Sequence, residues 1–337
     1  MRVITRLLAA ITLVGVVARL LPASLAAIPL APVIVSATPW YALTAAIALV
    51  LALASGHSRK RRGAERAVLA ALMVACLLLE ASWQLPFFAG SGAGSAANGA
   101  GAESTELRVM TCNVYKGRAD AQRIVDLVRS EGIQVLALQE TTVDFVDDLE
   151  AAGINDLLPY SERSSSDGIY GNGVWSATPL GDTASDDIGS SASAMPAGTI
   201  SVTAPDGTTA PLRFVSVHTT APRAGYWNLW RKSIEEIGVV RDRLDAGSNA
   251  RYVLMGDFNS TYDHAPFREM LGGALFDAAR QAGEGLTLTW PTDRTLLPAF
   301  CGIDHVVVSG GIGTSNLETR EIEGSDHAAL LCTLHVR

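Results

Sequence analysis

A long run of apolar residues near the start of the chain constrains its fold more than any other sequence feature. Between Leu7 and Ser55 the single charged residue is Arg19, a composition that is not typical of a water-soluble domain. About 20 apolar residues cross a bilayer as a helix, so the run is long enough for two spans, with prolines at the turn between them. Another apolar run ends near Phe88. We therefore predict three transmembrane helices, near residues 4–22, 32–54 and 67–88.

A cleavable signal peptide and a buried helical hairpin of a soluble protein are the alternative interpretations of this region. The apolar core of a signal peptide is about 7–15 residues long, and the run observed here is several times longer. The favoured interpretation is therefore a membrane domain, residues 1–88, in a multi-pass protein of the cell membrane.

The basic segment HSRKRRGAER, residues 57–66, predicts the orientation of this domain. It lies between the second and third predicted spans, and short basic loops stay in the cytoplasm. Arg2 and Arg6 place the N-terminus on the same side, so three spans put everything after residue 88 outside the cytoplasm. A nucleic-acid-binding patch is the alternative interpretation of this basic segment.

The remaining chain divides into a linker and one large domain. Residues 89–106 are mostly Gly, Ala and Ser, which predicts a flexible linker with a root-mean-square reach of roughly 25 Å. Residues 107–337 have the length of one domain and carry 18 Lys and Arg against 30 Asp and Glu, a net charge of −12. Such a surface repels a polyanion, which argues against nucleic acid as a partner. No protein partner is indicated.

The pattern of the large domain predicts a mixed α/β fold. Residues 107–140 form a strand–helix–strand crossover unit, and a second helix is predicted over residues 226–244. Further strands are predicted within residues 171–180, 210–222, 250–260, 302–310 and 327–336.

Polar residues repeatedly follow the apolar runs of this domain. In VLMGDFNS, residues 253–260, Asp257 and Asn259 stand two apart, so on a strand they share one face. The same position, at or just past a strand, is occupied by Asn113, Glu140, His218, Asp304 with His305, and Asp326 with His327. Each residue alone has a structural explanation as a turn, cap or core residue. Together they predict a site at one edge of the fold.

The motifs TCNV, LALQE, GNGVWSATPL, VSVHTTAP, GDFNS, GIDHVVVS and GSDHAAL occur in this order. They resemble those of the endonuclease/exonuclease/phosphatase superfamily, from about Leu107 to the C-terminus. The resemblance implies the DNase I-like α/β fold, a four-layer sandwich of two central β-sheets flanked by helices. It also implies metal-assisted hydrolysis of a phosphoester or phosphoanhydride.

The resemblance further implies a role for each candidate residue. Glu140 is the expected principal ligand of Mg²⁺, or of Mn²⁺ in its place, with Asn113 beside it and Asp326 in or near the metal shell. These are oxygen donors, which Mg²⁺ prefers.

Among the catalytic residues, Asp257 is expected to orient or deprotonate the attacking water, and Asn259 to hold that water or a phosphate oxygen. Asp304 is expected to fix the tautomer of His327, which contacts the scissile phosphate or transfers a proton. His218 is expected near the phosphate or the leaving group.

One position bears on the branch of the family, and another departs from the family pattern. A histidine at position 218 is typical of the DNase I-like, sphingomyelinase-like and phosphatase branches and not of the abasic-site repair branch. Ala177 stands where many relatives carry Arg, which leaves Arg163, Arg223 and Arg231 as alternative sources of a phosphate-binding guanidinium.

The predicted spans, linker and acidic domain also resemble the bacterial membrane-anchored members linked to teicoplanin-type glycopeptide resistance. This resemblance implies a phosphohydrolase that acts outside the cytoplasm on a lipid-linked phosphate at the membrane surface. The best candidate substrate is undecaprenyl pyrophosphate or a similar prenyl pyrophosphate. A phospholipase- or sphingomyelinase-type phosphodiesterase and an extracytoplasmic nuclease are the alternatives. A non-catalytic binding module is disfavoured because the core motif residues are all present.

Overall fold

The computed structural model describes residues 2–54, 60–90, 104–294 and 298–337. The N-terminal part is helical, with a short 3₁₀ turn at Ala23–Leu25. Its helices are α1 (Arg2–Arg19), α2 (Ala31–Ser36), α3 (Thr38–Ala54), α4 (Lys60–Gln84) and α5 (Pro86–Ala89). Helices α1, α3 and α4 form what we term the helical bundle, whose core contains the buried residues Ala9, Val16, Ala45, Ala48, Met73 and Cys76.

The expectation of three transmembrane helices is met in part. Within the described residues, only the helix Gly63–Ala89 is long and apolar enough to cross a membrane. Helix α1 carries Arg2, Arg6 and Arg19 in its 18 residues. The predicted second span is interrupted at Ala37, which leaves α3 with 17 residues, about 26 Å at 1.5 Å per residue. That is shorter than the roughly 30 Å hydrocarbon core of a bilayer. Residues 55–59, which include the start of the basic segment, and residues 91–103 of the predicted linker lie outside the described residues.

The large domain contains twelve strands and six further helices in its described part. The strands are β1 (Thr105–Asn113), β2 (Val135–Gln139), β3 (Tyr160–Arg163), β4 (Asn172–Ser176), β5 (Gly181–Ala184), β6 (Ala197–Thr203), β7 (Thr209–His218), β8 (Arg251–Asp257), β9 (Leu275–Asp277), β10 (Asp304–Ser309), β11 (Ile312–Glu321) and β12 (Ala328–Val336). The helices are α6 (Ala121–Ser130), α7 (Val143–Ala151), α8 (Trp227–Glu236), α9 (Val239–Asp245), α10 (Ala265–Leu271) and α11 (Ala278–Ala282). The helix predicted over residues 226–244 is thus divided, with Gly238 at the break.

The strands form two six-stranded mixed sheets that pack face to face. The first has the order β11-β12-β1-β2-β4-β3 and the second β5-β6-β7-β8-β10-β9. Between them lies an apolar core that includes Val109 and Leu330 of the first sheet and Phe214 and Met255 of the second. Helices α6 and α7 pack on the outer face of the first sheet, and α8 and α10 on that of the second. The expected arrangement of two sheets flanked by helices is confirmed.

The strand directions bring many chain segments to one edge of this sandwich. Each sheet has one parallel pair near its centre, β1 with β2 and β7 with β8, and the carboxyl ends of a parallel pair meet at the same edge. Strand β10 runs antiparallel to β8, so its first residue, Asp304, pairs with the last residue of β8, Asp257. Strand β12 runs antiparallel to β1 and also begins at this edge. We term this the catalytic edge.

The helical bundle and the segment that includes α2 contact the large domain directly. Arg19 Nε donates a hydrogen bond to Asp263 Oδ1 at 2.7 Å between buried side chains. Other hydrogen bonds also join the two parts, among them those from Trp40 Nε1 to the Phe300 carbonyl oxygen at 2.7 Å, from His264 Nε2 to the Pro32 carbonyl oxygen at 2.9 Å, and from Arg280 Nη1 to the Trp83 carbonyl oxygen at 3.0 Å. The large domain is therefore seated on the helices and does not depend on the chain connection alone.

Candidate active site

All eight predicted site residues lie at the catalytic edge. Asn113, His218 and Asp257 are the last residues of β1, β7 and β8, and Glu140 directly follows β2. Asp304 begins β10 and His327 immediately precedes β12, whereas Asn259 and Asp326 are in the adjoining loops. Their convergence follows from the two parallel pairs and from the antiparallel strands that start where those pairs end.

Asp257 is the centre of the cluster, and it is 1% exposed. Its Oδ2 accepts hydrogen bonds from Asn113 Nδ2 at 3.0 Å and from Asn259 Nδ2 at 3.1 Å. The Nε2 atoms of His218 and His327 lie 3.7 Å and 3.8 Å from the same oxygen. Four predicted residues therefore surround one carboxylate oxygen.

His327 is held by a carboxylate on its other side. Its Nδ1 donates to Asp304 Oδ2 at 2.9 Å, which leaves Nε2 facing Asp257 and lying 3.9 Å from Asp326 Oδ1. Ser325 Oγ accepts from the His327 backbone N–H at 2.9 Å. The paired carboxylate thus fixes the orientation of the imidazole, and the catalytic role that the family resemblance implies for Asp304 stays a prediction.

Glu140 and Asp326 are the remaining acidic residues of the cluster. Glu140 has φ of 59°, an unusual backbone conformation for a non-glycine residue that is common at functional sites. Its Oε1 accepts from Asn113 Nδ2 at 3.4 Å and lies 3.9 Å from His218 Nε2. Asp326 Oδ2 accepts from Trp290 Nε1 at 3.3 Å.

Comparison with known proteins identifies the family. The model of the endonuclease/exonuclease/phosphatase family matches residues 110–327, which is more than half of the chain and contains every predicted site residue. The chain belongs to this family. Among curated protein sequences, none matches it.

Solved structures similar to the chain share its fold at low sequence identity. Humanized D. rerio TDP2 is 17% identical, with a TM-score of 0.52 over 68% of this chain and 98% of its own. The mannosyl-6-phosphatase Bt3783 of Bacteroides thetaiotaomicron VPI-5482 is 17% identical, with a TM-score of 0.51 over 68% of this chain and 99% of its own. An endonuclease/exonuclease/phosphatase family protein from Bacteroides thetaiotaomicron gives 0.51 at 17% identity over 70% and 96%. These neighbours show the fold, and the family match supports phosphoesterase activity.

The family is metal-dependent, and the oxygen atoms of the cluster fit a divalent cation. Among the described residues, Glu140 Oε2 and Asp326 Oδ1 are buried without a hydrogen-bond partner, and a buried carboxylate oxygen without a partner is costly. Both are hard oxygen donors of the kind Mg²⁺ prefers. Asn113 directs its amide nitrogen toward Glu140 and Asp257, while its oxygen accepts from the Tyr115 N–H at 2.9 Å. A direct metal bond from Asn113 stays a prediction.

A second group of side chains in the described part of the chain has the geometry of a metal site. Ligand atoms of Asp257, Asp304 and His327 all lie within 4.8 Å of one another. Because Asp304 and His327 are hydrogen-bonded to each other, Glu140 and Asp326 remain our predicted ligands. When bound there, a divalent cation would neutralise charge on the phosphoryl oxygens.

The environment gives the two histidines opposite protonation states. Burial, together with the charge of His327, lowers the pKa of His218 to about 4. Burial alone would also lower the pKa of His327, but the carboxylates of Asp304 and Asp257 outweigh it and raise the pKa to about 10. At neutral pH His327 is therefore a cation that can donate to a phosphoryl oxygen, and His218 is neutral. Burial, with the nearby charge of Asp304, raises the pKa of Asp257 to about 7, which suits a group that accepts a proton from water.

The backbone around Asp257 orients this carboxylate. The Asn259 N–H donates to Asp257 Oδ1 at 2.7 Å, and Asn259 has φ of 45°. Gly256 has φ of 151°, and a Cβ there would lie 2.0 Å from the Val217 carbonyl oxygen. Only glycine lets β7 and β8 approach this closely at the residue before Asp257.

The cluster opens into a cavity of about 700 Å³, and apart from Arg223 its other lining residues were not indicated by the sequence. The cavity contains Lys116 and Arg223, and most of its remaining wall is apolar or aromatic. That wall includes Val33, Ala37, Ile169, Tyr170, Tyr226, Leu229, Trp290, Phe300 and Ile303. Val33 and Ala37 belong to the N-terminal helical part, a contribution that no local motif signals.

The three candidate arginines differ in their position relative to the cavity. Arg223 lines the cavity, whereas Arg163 does not, and Arg231 forms an ion pair with Glu235 at 2.7 Å. Ala177 follows Ser176, which pairs with Val135 at the start of β2. Position 177 is therefore at the edge opposite the site, so an arginine there would not reach the cluster.

His305, which the sequence pattern placed beside Asp304, points away from the site. It is 5% exposed, and its Nδ1 donates to Asp277 Oδ2 at 2.7 Å while its Nε2 donates to the Ser260 carbonyl oxygen at 2.8 Å. Adjacent strand residues face opposite sides of the sheet, which explains the difference between Asp304 and His305.

Proposed function

We propose that this chain is a membrane-anchored, metal-dependent phosphohydrolase that acts outside the cytoplasm on a lipid-linked phosphate. The best candidate substrate is a prenyl pyrophosphate such as undecaprenyl pyrophosphate. The observation that carries the proposal is the composition of one cavity, which joins the phosphohydrolase cluster around Asp257 to an extensive apolar wall.

An apolar wall distinguishes between classes of phosphate ester. A nucleic acid or a sugar phosphate surrounds its phosphate with polar groups, whereas a lipid phosphate carries a hydrocarbon chain that gains free energy on burial, roughly 25 cal/mol per Å². The net charge of −12 on residues 107–337 also opposes binding of a long polyanion.

Lys116 and Arg223 favour a substrate with more than one phosphate. Both line the cavity, and neither has a carboxylate partner within 4.0 Å among the ion pairs of the described residues. Arg223 stacks on Tyr226, with its guanidinium carbon 4.3 Å from the ring centroid. A pyrophosphate could place one phosphate at the Asp257 cluster and the other against these cations.

The distribution of charge on the helical bundle supports membrane anchoring. Arg6 pairs with Glu65 at 3.4 Å at one end of the bundle. The charged residues near the other end, Arg19 and Glu80, are 7% and 1% exposed. Large apolar side chains are instead exposed along all three helices, among them Val3, Leu7, Val17, Leu43, Val50, Leu53, Val68 and Leu78. Such a surface suits lipid and not water, and anchoring through the bundle would hold the cavity near the lipid surface.

Analysis of the products formed by the purified full-length protein from each substrate tests the proposal. The substrates would be a prenyl pyrophosphate, sphingomyelin, phosphatidylinositol phosphates and plasmid DNA, each with Mg²⁺. We expect release from the prenyl pyrophosphate, loss of that activity in Glu140→Ala and in His327→Ala, and retention in Glu150→Ala, a matched change on the exposed face of α7. Hydrolysis of sphingomyelin alone, or nicking of DNA alone, would replace the proposed substrate by that of the corresponding alternative.

Topology has a separate test. We expect a cysteine introduced by Ser95→Cys to react with a membrane-impermeant maleimide in intact cells, because the linker is proposed to lie outside the cytoplasm. Reaction only after the cells are opened would reverse the orientation.

A further inference from the structure

The short helix α2 contributes to the wall of the cavity that holds the catalytic cluster. Val33, Ser36 and Ala37 line the same cavity as Asp257 and His327, although more than 200 residues separate the two groups in the chain. The cavity is therefore built by two parts of the protein, and one of these parts belongs to the N-terminal helices.

Direct contacts with the large domain hold α2 in place. Pro32, in its first turn, accepts the hydrogen bond from His264, a residue that is 2% exposed. Just beyond its end, Trp40 donates to the Phe300 carbonyl oxygen at 2.7 Å, and Phe300 itself lines the cavity. Contacts on both sides of α2 make it a fixed wall of the site.

The chemistry that α2 presents to the cavity is apolar. Val33 is 52% exposed, and Ala37 offers only a methyl group. The hydroxyl of Ser36 already donates to the Pro32 carbonyl oxygen at 3.1 Å, so its hydrogen-bonding capacity is largely used within the helix. No charged residue occurs between Arg19 and the end of α2. This wall is suited to a hydrocarbon and not to a phosphate.

The apolar surface also continues outward from α2 along the chain. Leu25, Ile28 and Leu30, which precede the helix, are 46%, 47% and 60% exposed. A hydrocarbon chain that leaves the cavity along this side would remain on apolar protein surface. In contrast, the cations Lys116 and Arg223 provide the polar part of the same cavity.

We propose that α2 forms a hydrocarbon subsite that binds the lipid chain next to the phosphate and makes the enzyme select long-chain substrates. This inference rests on the proposed function, since it assigns the part of the substrate that α2 contacts. Val33 is the specificity-determining residue, because its side chain is the largest that α2 presents to the cavity.

Chain-length selectivity measures the role of Val33. We would compare kcat/KM for C5 and C15 prenyl pyrophosphates, presented in the same detergent, for the full-length wild type, Val33→Trp and the control Val50→Trp. Val50 is exposed on α3 and does not line the cavity. We expect Val33→Trp to lower kcat/KM for the C15 substrate at least tenfold and for the C5 substrate less than threefold, with Val50→Trp unchanged on both. Activity on the C5 substrate shows that the variant is folded.

A binding experiment separates this inference from the proposed reaction. In Ser36→Cys, a maleimide should label the new cysteine, since the four native cysteines are buried. We expect a C15 prenyl bisphosphonate, which cannot be hydrolysed at its P–C–P link, to slow this labelling at least fivefold, and inorganic pyrophosphate to leave it unchanged. Protection without hydrolysis of any prenyl pyrophosphate would sink the proposed function and keep the subsite. Hydrolysis without protection, or equal losses on C5 and C15 in Val33→Trp, would overturn the subsite and keep the function.

Discussion

The ion pair between Arg19 and Asp263 joins the helical bundle to the catalytic domain. We expect removal of this buried pair to lower the free energy of unfolding more than removal of an exposed pair does. The two side chains are 8% and 4% exposed, with Arg19 Nε 2.7 Å from Asp263 Oδ1. The guanidinium also lies 4.0 Å from the centroid of the Trp83 ring. In Arg19→Met the Asp263 carboxylate would stay buried without its main partner.

The expected cost follows from that burial. Removing one member of a buried pair costs about 3–5 kcal/mol. We expect the lower end, about 3 kcal/mol, because Gln84 Nε2 still donates weakly to Asp263 Oδ2 at 3.5 Å. For a domain of this size about 1 kcal/mol corresponds to roughly 2–4 °C, so Tm should fall by about 6–12 °C.

Thermal unfolding of the detergent-solubilised full-length protein provides the assay, and the chain contains a matched control. Arg6 and Glu65 join α1 to α4 at 3.4 Å, but their side chains are 73% and 63% exposed, so Arg6→Met should cost at most about 1 kcal/mol. The double variant Arg19→Met/Asp263→Asn should recover most of the loss, since no unpaired charge stays buried. Equal Tm shifts for Arg19→Met and Arg6→Met, or no recovery in the double variant, would refute the reasoning.

Three further predictions concern the site and its support. Asp304→Asn should lower kcat by roughly 10²–10⁴-fold with little change in KM, because His327 loses the carboxylate that keeps its imidazole protonated. Steady-state kinetics would show this. A change confined to KM would contradict it. Chelation should abolish activity and Mg²⁺ or Mn²⁺ should restore it, with Glu140→Gln requiring at least about tenfold more metal. Activity that survives chelation would show that the reaction does not require a metal ion. Burial lowers the pKa of His305, but the hydrogen bond and charge of Asp277 raise it above its ordinary value. This pair therefore stabilises the fold fully below pH of about 6.5 and loses its effect as pH rises through the folded pKa. Asp277→Asn should lower Tm more at pH 5.5 than at pH 9, and a pH-independent difference would contradict this.

The convergence of the site residues could be predicted from the sequence because it depends on local rules. Asn113, Glu140, His218 and Asp257 each follow an apolar run, and strands that run parallel end at one edge of a sheet. The motif order then associates the residues with one family. The mutual distances, and the position of Asp257 at the centre of the cluster, needed the register of the strands.

Contacts between distant segments could not be predicted from local pattern. Nothing around Val33 or Ala37 indicates that α2 packs beside a site formed some 200 residues later. The importance given to Ala177 was a related error, since the motif shows which residue is present but not that Ser176 pairs at the far end of β2. The prediction of three transmembrane helices relied on the length of the apolar runs. It did not take account of the charged residues of α1 or of the helix break at Ala37.

The direct contacts between the catalytic domain and the helices reduce the structural role of the Gly-rich segment that connects them. Because Arg19, Trp40 and Pro32 hold that domain by side-chain and backbone contacts, the proposed membrane anchoring would set the height of the active site above the lipid through this interface and not through the length of residues 91–103. Doubling the length of a flexible connection costs only about 0.6 kcal/mol in closure. Under the proposed anchoring, changes in the length of this segment would therefore leave the distance between the active site and the bilayer constant.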